Sequence, residues 1–181
     1  MSEVTPAEVV RFWRQAGPDK WWKKDAAFDR TVRSKFLALH EAASRGELAD
    51  WEDSAEGALA LIILFDQFPR NMFRGSPHAF ATDPLARAVA DRALARGFDR
   101  ATDEALRMFF FMPFMHSETL ADQDRCVALF DALGVPGQTE FATGHRDIIV
   151  RFGRFPHRNR IVGRETTAAE REFLDGGGFS G

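Results

Sequence analysis

With 181 residues, 45% of them apolar, the chain is long enough for one domain with a sizeable core. Its net charge of −3, from 24 basic and 27 acidic residues, argues against the broadly basic face that general nucleic-acid binding needs. The lone Cys126 excludes an intramolecular disulfide and a cysteine metal cluster, and no apolar run reaches the length of a membrane span.

Thr5-Pro6-Ala7-Glu8 reads as a capping box with Pro at the first helical position, opening a helix to about Ala16 that Gly17-Pro18 ends. The charges at Glu3 and Glu8, without an apolar signal region, predict a cytoplasmic protein. Trp21-Trp22 read as a hydrophobic lid on the core, as expected where 18 Phe and 4 Trp stand without one Tyr. Asp25 caps a long second helix to Gly46, with Phe28, Val32, Phe36 and Leu39 on one face. Ser54 begins a third helix that is apolar on all sides from Ala58 to Phe65, which predicts central burial. Asp66 stands at its end and needs a partner, and Pro69 is expected to stop or kink it.

Asp83-Pro84 opens the fourth helix, which Gly97 ends, and Thr102 caps the fifth. Phe109 to Met115 is core by composition, broken at Pro113. Ser117 caps the sixth helix, with Glu118 in its first turn and Leu120, Val127, Phe130 and Leu133 facing inward to Gly134. The seventh helix follows Gly137. It places Phe141, Ile148, Phe152 and Phe155 on one side and Asp147, Arg151, Arg154 and Arg158 on another, with Arg151 in reach of Asp147. Thr167 to Glu170 is a second capping box for a short last helix through Leu174, and residues 176–181 are expected to be a disordered tail. The sum is an all-α chain of about eight antiparallel helices in a single domain, 1–181.

Charge is concentrated between His145 and Arg164, where six arginines and two histidines stand with one acid, Asp147. Arginine suits planar, bidentate contact with carboxylate or phosphate. The stretch also has an internal echo: Phe68-Pro69-Arg70-Asn71 with Arg74, and Phe155-Pro156 with Arg158-Asn159 and Arg164. In this reading the two turns converge on a pocket for a small anionic molecule. Arg70, Asn71, Arg74, Arg151, Arg154, Arg158 and Asn159 bind it, and Asp66 and His157 orient. His116, Glu118 and His145 are the candidates for proton transfer. Three alternatives compete: arginines that brace the fold, an interaction module that binds a peptide, and a metal site. The metal site is weakest, since no His-x3-His pair exists and His157 sits among arginines. Phosphate-loop and dinucleotide glycine motifs are absent, so no cofactor is expected.

Three segments carry a family resemblance: Asp66 to Asn71 with Arg74-Gly75, Phe111 to Glu118, and Arg151 to Asn159 with Gly163-Arg164 and Thr167-x-x-Glu170. Together they resemble a bacterial domain of unknown function, number 924, over nearly the whole chain. The resemblance implies a tetratricopeptide-like, right-handed helical array and carries no activity. The family often has Tyr where this chain has Phe111, so any role of that hydroxyl is missing here.

Overall fold

The computed structural model describes residues 4–179; Met1 to Glu3 and the last two residues of the expected tail lie outside them. Helices, turns and coil account for all of these residues, with no strand among them. The chain divides into two compact units, Met1–Arg74 with His78–Pro113, and Gly75–Pro77 with Phe114–Gly181.

The first unit contains α1 (Pro6–Ala16), α2 (Pro18–Trp21), α3 (Ala26–Ser44), α4 (Ala55–Ile62), α5 (Phe68–Met72), α6 (Asp83–Ala95) and α7 (Glu104–Arg107). The chain leaves it within α8 (Met112–Met115) and continues in the second unit through α9 (Leu120–Leu133), α10 (Gln138–Phe152) and α11 (Ala168–Asp175). The expected count of about eight rises to eleven α-helical segments among the described residues. Pro18 starts an extra turn, and the third and fifth expected helices are each cut in two.

The capping boxes form as read. Thr5 Oγ1 accepts from the Glu8 N–H while Glu8 returns to the Thr5 N–H, and Thr167 and Glu170 repeat the pattern. In the first unit, α4 is buried on every side from Gly57 to Ile62. Gly57 is required there, because a Cβ would lie 2.0 Å from the Trp51 carbonyl oxygen. Trp13, Phe36, Phe68 and Phe109 fill the core. Trp21 stacks on Trp13 at 5.9 Å and donates its indole N–H to the Trp13 carbonyl at 2.8 Å, while Trp22 stays half exposed.

Pro69 does not stop the third helix. Between α4 and α5 the backbone widens into a π-helical turn over Ile63–Gln67, with the Phe68 N–H bonded to the Ile63 carbonyl. Pro69 has no N–H to offer the carbonyls four and five residues before it, those of Phe65 and Leu64. The fold supplies donors from elsewhere. Thr82 Oγ1 donates to the Phe65 carbonyl at 2.6 Å, and Nδ1 of His40 reaches the Leu64 carbonyl at 2.9 Å. A buried carbonyl left without a donor costs about 1–3 kcal/mol, so these two side chains let the helix pass its proline.

In the second unit α9 and α10 pack on one another, joined by a turn with Gly134 and Gly137 at positive φ. Leu120, expected inside, is 42% exposed, because α9 starts at Leu120 itself, one turn before its buried residues Gln123, Cys126 and Phe130. Gly153 ends α10 in the left-handed region, and the chain then runs through Phe155, the short turn Pro156–Arg158 and Arg164 to α11. A small apolar cluster of Ile148, Ile149 and Phe155, with Phe152, Phe173 and Phe179 against it, holds these pieces together.

Candidate functional site

In the first unit, the turn after Pro69 is held by three carboxylates. The Arg70 guanidinium forms a double hydrogen bond with Asp83 at 2.8 and 3.0 Å, donates to the Asp66 carbonyl at 2.6 Å and lies 3.4 Å from the Asp66 carboxylate. Burial works against the charge on Arg70, but Asp66 and Asp83 outweigh it and hold the group more firmly charged than usual. Asn71 donates to Asp29 at 2.8 Å, and Arg74 grips the same carboxylate at 2.7 and 2.9 Å.

The second turn repeats the device with glutamates. Glu118 accepts both terminal nitrogens of Arg164, at 2.7 and 2.9 Å, and the Phe155 N–H at 2.8 Å. Burial raises its pKa, and the Arg164 and Phe155 hydrogen bonds more than reverse this, keeping it ionised. Glu170 accepts Arg154 through Nε and Nη2 at 2.6 and 2.9 Å, Asn159 at 3.1 Å and the Thr167 N–H at 2.8 Å. The Arg154 and Thr167 bonds hold its pKa down at about 2. Arg158 is buried, donates to the His116 carbonyl at 2.9 Å and stacks over the Phe155 ring at 4.7 Å. The echo between the two turns is therefore a repeated scaffold: in each, an acid distant in sequence receives the Arg and Asn side chains.

Arg151 differs. It makes no ion pair with Asp147, which instead lies 3.8 Å from Arg146. Among the described residues it has no carboxylate partner; its guanidinium lies over the rings of Phe152 at 4.7 Å and Phe173 at 5.7 Å. It thus lies over one ring of α10 and one of α11.

Arg151 borders a hollow of about 460 Å³ beside α10. Its floor is one stripe of that helix, Glu140, Gly144, Asp147 and Ile148, ending at Arg151. Its walls are Phe141, Phe152, Phe173 and Phe179, with His145 between them. Gly144 sits in the helix interior with open space where a Cβ would be. A mid-helix glycine costs about 1 kcal/mol relative to alanine, and here the missing side chain gives the hollow its depth.

His145 is buried, with Nδ1 bonded to the Phe141 carbonyl at 2.9 Å. A carbonyl only accepts, so Nδ1 carries the proton and Nε2 keeps its lone pair. Burial, then the charges of His116 and Arg158, push its pKa down to about 4. His157 is pushed to about 3 by burial, Arg158 and His145, and its Nδ1 is buried without a hydrogen-bond partner among the described residues. The Phe179 ring stands edge-on to both imidazoles, at 4.5 Å from His145 and 5.1 Å from His157. No group of three His, Cys, Asp or Glu among the described residues is arranged to hold a metal ion.

Of the residues singled out from sequence, Asp66, Arg70, Asn71 and Arg74 thus lie in the first unit, and His116, Glu118, His145, Arg151, Arg154, His157, Arg158 and Asn159 in the second. Only His145 and Arg151 border the hollow. Sequence reasoning missed Glu140, Gly144, Phe173 and Phe179 there, and it saw Glu170 only as a cap. The one local signal was Gly144, a glycine inside a helical pattern.

The family model of bacterial proteins of unknown function (DUF924) matches residues 9–178. The solved structure of a protein of unknown function from Agrobacterium tumefaciens is 53% identical, covering 94% of this chain and 97% of its own, with a TM-score of 0.91. Comparison with curated proteins gives no match. No helix among the described residues is long and apolar enough to cross a membrane.

Proposed function

Because the chain belongs to the family of bacterial proteins of unknown function DUF924, whose description names no reaction, we propose a function from the geometry: binding of a small anionic molecule with an apolar body in the hollow beside α10. The observation that carries this is Arg151, the cation of a lining that also holds the carboxylates of Glu140 and Asp147, so the anionic group must seat at the Arg151 end of the stripe. Arg154, Arg158 and Arg164 are engaged in holding the turn, whereas Arg151 borders a hollow and, among the described residues, lies against rings without a carboxylate partner. A guanidinium stacked on aromatic faces keeps its N–H groups in plane, where a carboxylate or phosphate can take two of them. His145, neutral at physiological pH, offers Nε2 as an acceptor, and the phenylalanines take the apolar part.

The size supports a small molecule over an extended peptide, since small-molecule sites run from about 300 to 1,000 Å³. A tetratricopeptide-like peptide module, the competing reading, would distribute its contacts along a concave surface. The test is a series of thermal melts at constant ionic strength against phosphate, sulfate, sugar phosphates and dicarboxylates, with wild type and Arg151→Ala. A ligand at a hundred times its Kd adds about 2.7 kcal/mol of stability. A stabilisation by one anion class that vanishes in Arg151→Ala supports the proposal; an equal response in both proteins refutes it.

A further inference from the structure

Phe179 borders the hollow, but it is not part of the helix that forms it. It follows Gly176-Gly177-Gly178, three residues without side chains after the end of α11. Gly177 has φ +81°, and a Cβ on Gly178 would stand 2.5 Å from the Phe173 carbonyl oxygen. The chain therefore reaches the hollow through a path that only glycine permits. At its end the Phe179 ring stands T-shaped to two neutral imidazoles and packs on the Ile148, Ile149 and Phe155 cluster. Arg151 borders the same hollow.

From this we infer that Phe179 is a tethered occupant of the place a ligand's aromatic ring takes, and that the ligand is an aromatic anion: a planar ring bearing a carboxylate or phosphate group. The ring replaces Phe179 against His145 and His157, and the anionic group meets Arg151. Both imidazoles are neutral because of burial, so they take a ring T-shaped against them without the repulsion that two imidazolium cations would set against its positive edge. Phe179 then competes with the ligand. The open fraction of the protein scales the apparent affinity, and removing the occupant removes that handicap.

The inference rests on the reading of the hollow given above, and the test separates the two. Benzoate and phenyl phosphate are titrated calorimetrically against acetate and inorganic phosphate, using wild type, Phe179→Ala, Gly178→Ala and Arg151→Ala. Gly178→Ala keeps the phenylalanine but denies it the docked path, so it guards against a packing loss peculiar to Phe179→Ala. Aromatic anions are expected to bind at least tenfold more tightly to both Phe179→Ala and Gly178→Ala than to wild type, with acetate and inorganic phosphate unchanged. Equal or weaker binding of the aromatic anions in both variants overturns the inference, because Phe179 is then a wall of the site. Arg151-dependent binding with no gain from the ring loses the aromatic ligand but keeps the anion site. Absence of any Arg151-dependent binding in all four proteins overturns both.

Discussion

The same substitution, arginine to alanine, should cost very different amounts of stability at two positions. Arg70→Ala takes a guanidinium from Asp83, 5% exposed, and Asp66, fully buried. Removing one partner of a buried ion pair typically costs about 3–5 kcal/mol, because the desolvated charge stays behind. For a chain of this length each kcal/mol lowers Tm by about 2–4 °C, so a loss near 4 kcal/mol corresponds to roughly 8–16 °C. Arg151→Ala removes an exposed side chain that lies over Phe152 and Phe173. A cation on an exposed ring is worth about 0.5–1 kcal/mol, and the drop should stay near 1–4 °C. Differential scanning calorimetry of the two variants against wild type measures both. Comparable losses would refute the distinction between Arg70, which holds the fold, and Arg151, which faces a ligand.

Three further outcomes follow from particular contacts. Thr82→Val should cost about 1–3 kcal/mol by leaving the Phe65 carbonyl without a donor, and should cost less in a Pro69→Ala background, where residue 69 regains its N–H. Equal losses in both backgrounds by urea titration would show that Pro69 is not the cause. His145 and His157 are held neutral, with pKa values of about 4 and 3 against about 6.5 unfolded, so acid favours the unfolded chain. Stability should be insensitive to these groups above pH 6.5. Below it, the loss from His145 alone should be on the order of 3 kcal/mol by pH 4, and His145→Gln should flatten this slope; an unchanged slope contradicts the neutral imidazole. Gly144→Ala should raise Tm by about 2–4 °C through helix propensity while weakening ligand binding, because the new methyl stands in the floor of the hollow. Tighter binding would place the ligand elsewhere.

Much of the fold was legible because its signals are local. Both capping boxes, the buried stretch from Ala58 to Phe65 and the glycine turn before α10 follow from neighbours within a few residues. What was illegible depends on distance. Pro69 reads locally as a stop or a kink, and the donors that let the chain continue through a π-helical turn, His40 and Thr82, come from other segments. The arginine-rich stretch reads as unbalanced positive charge, since its partners Glu118 and Glu170 stand apart from it in the chain. Arg151 has Asp147 within reach one turn away, yet it lies over the rings of Phe152 and of Phe173, which stands 22 residues on. Phe179 lay in a stretch whose glycines suggest a free tail, and glycine is also what lets that stretch turn back onto α10.

The most direct test of the account is a calorimetric titration of phenyl phosphate into wild type, Arg151→Ala and Arg154→Ala. Phenyl phosphate should bind wild type, fail to bind Arg151→Ala, and still bind any folded Arg154→Ala, because Arg154 serves Glu170. Binding that survives Arg151→Ala and fails in a folded Arg154→Ala would contradict it and return the site to the Phe155-Pro156 turn.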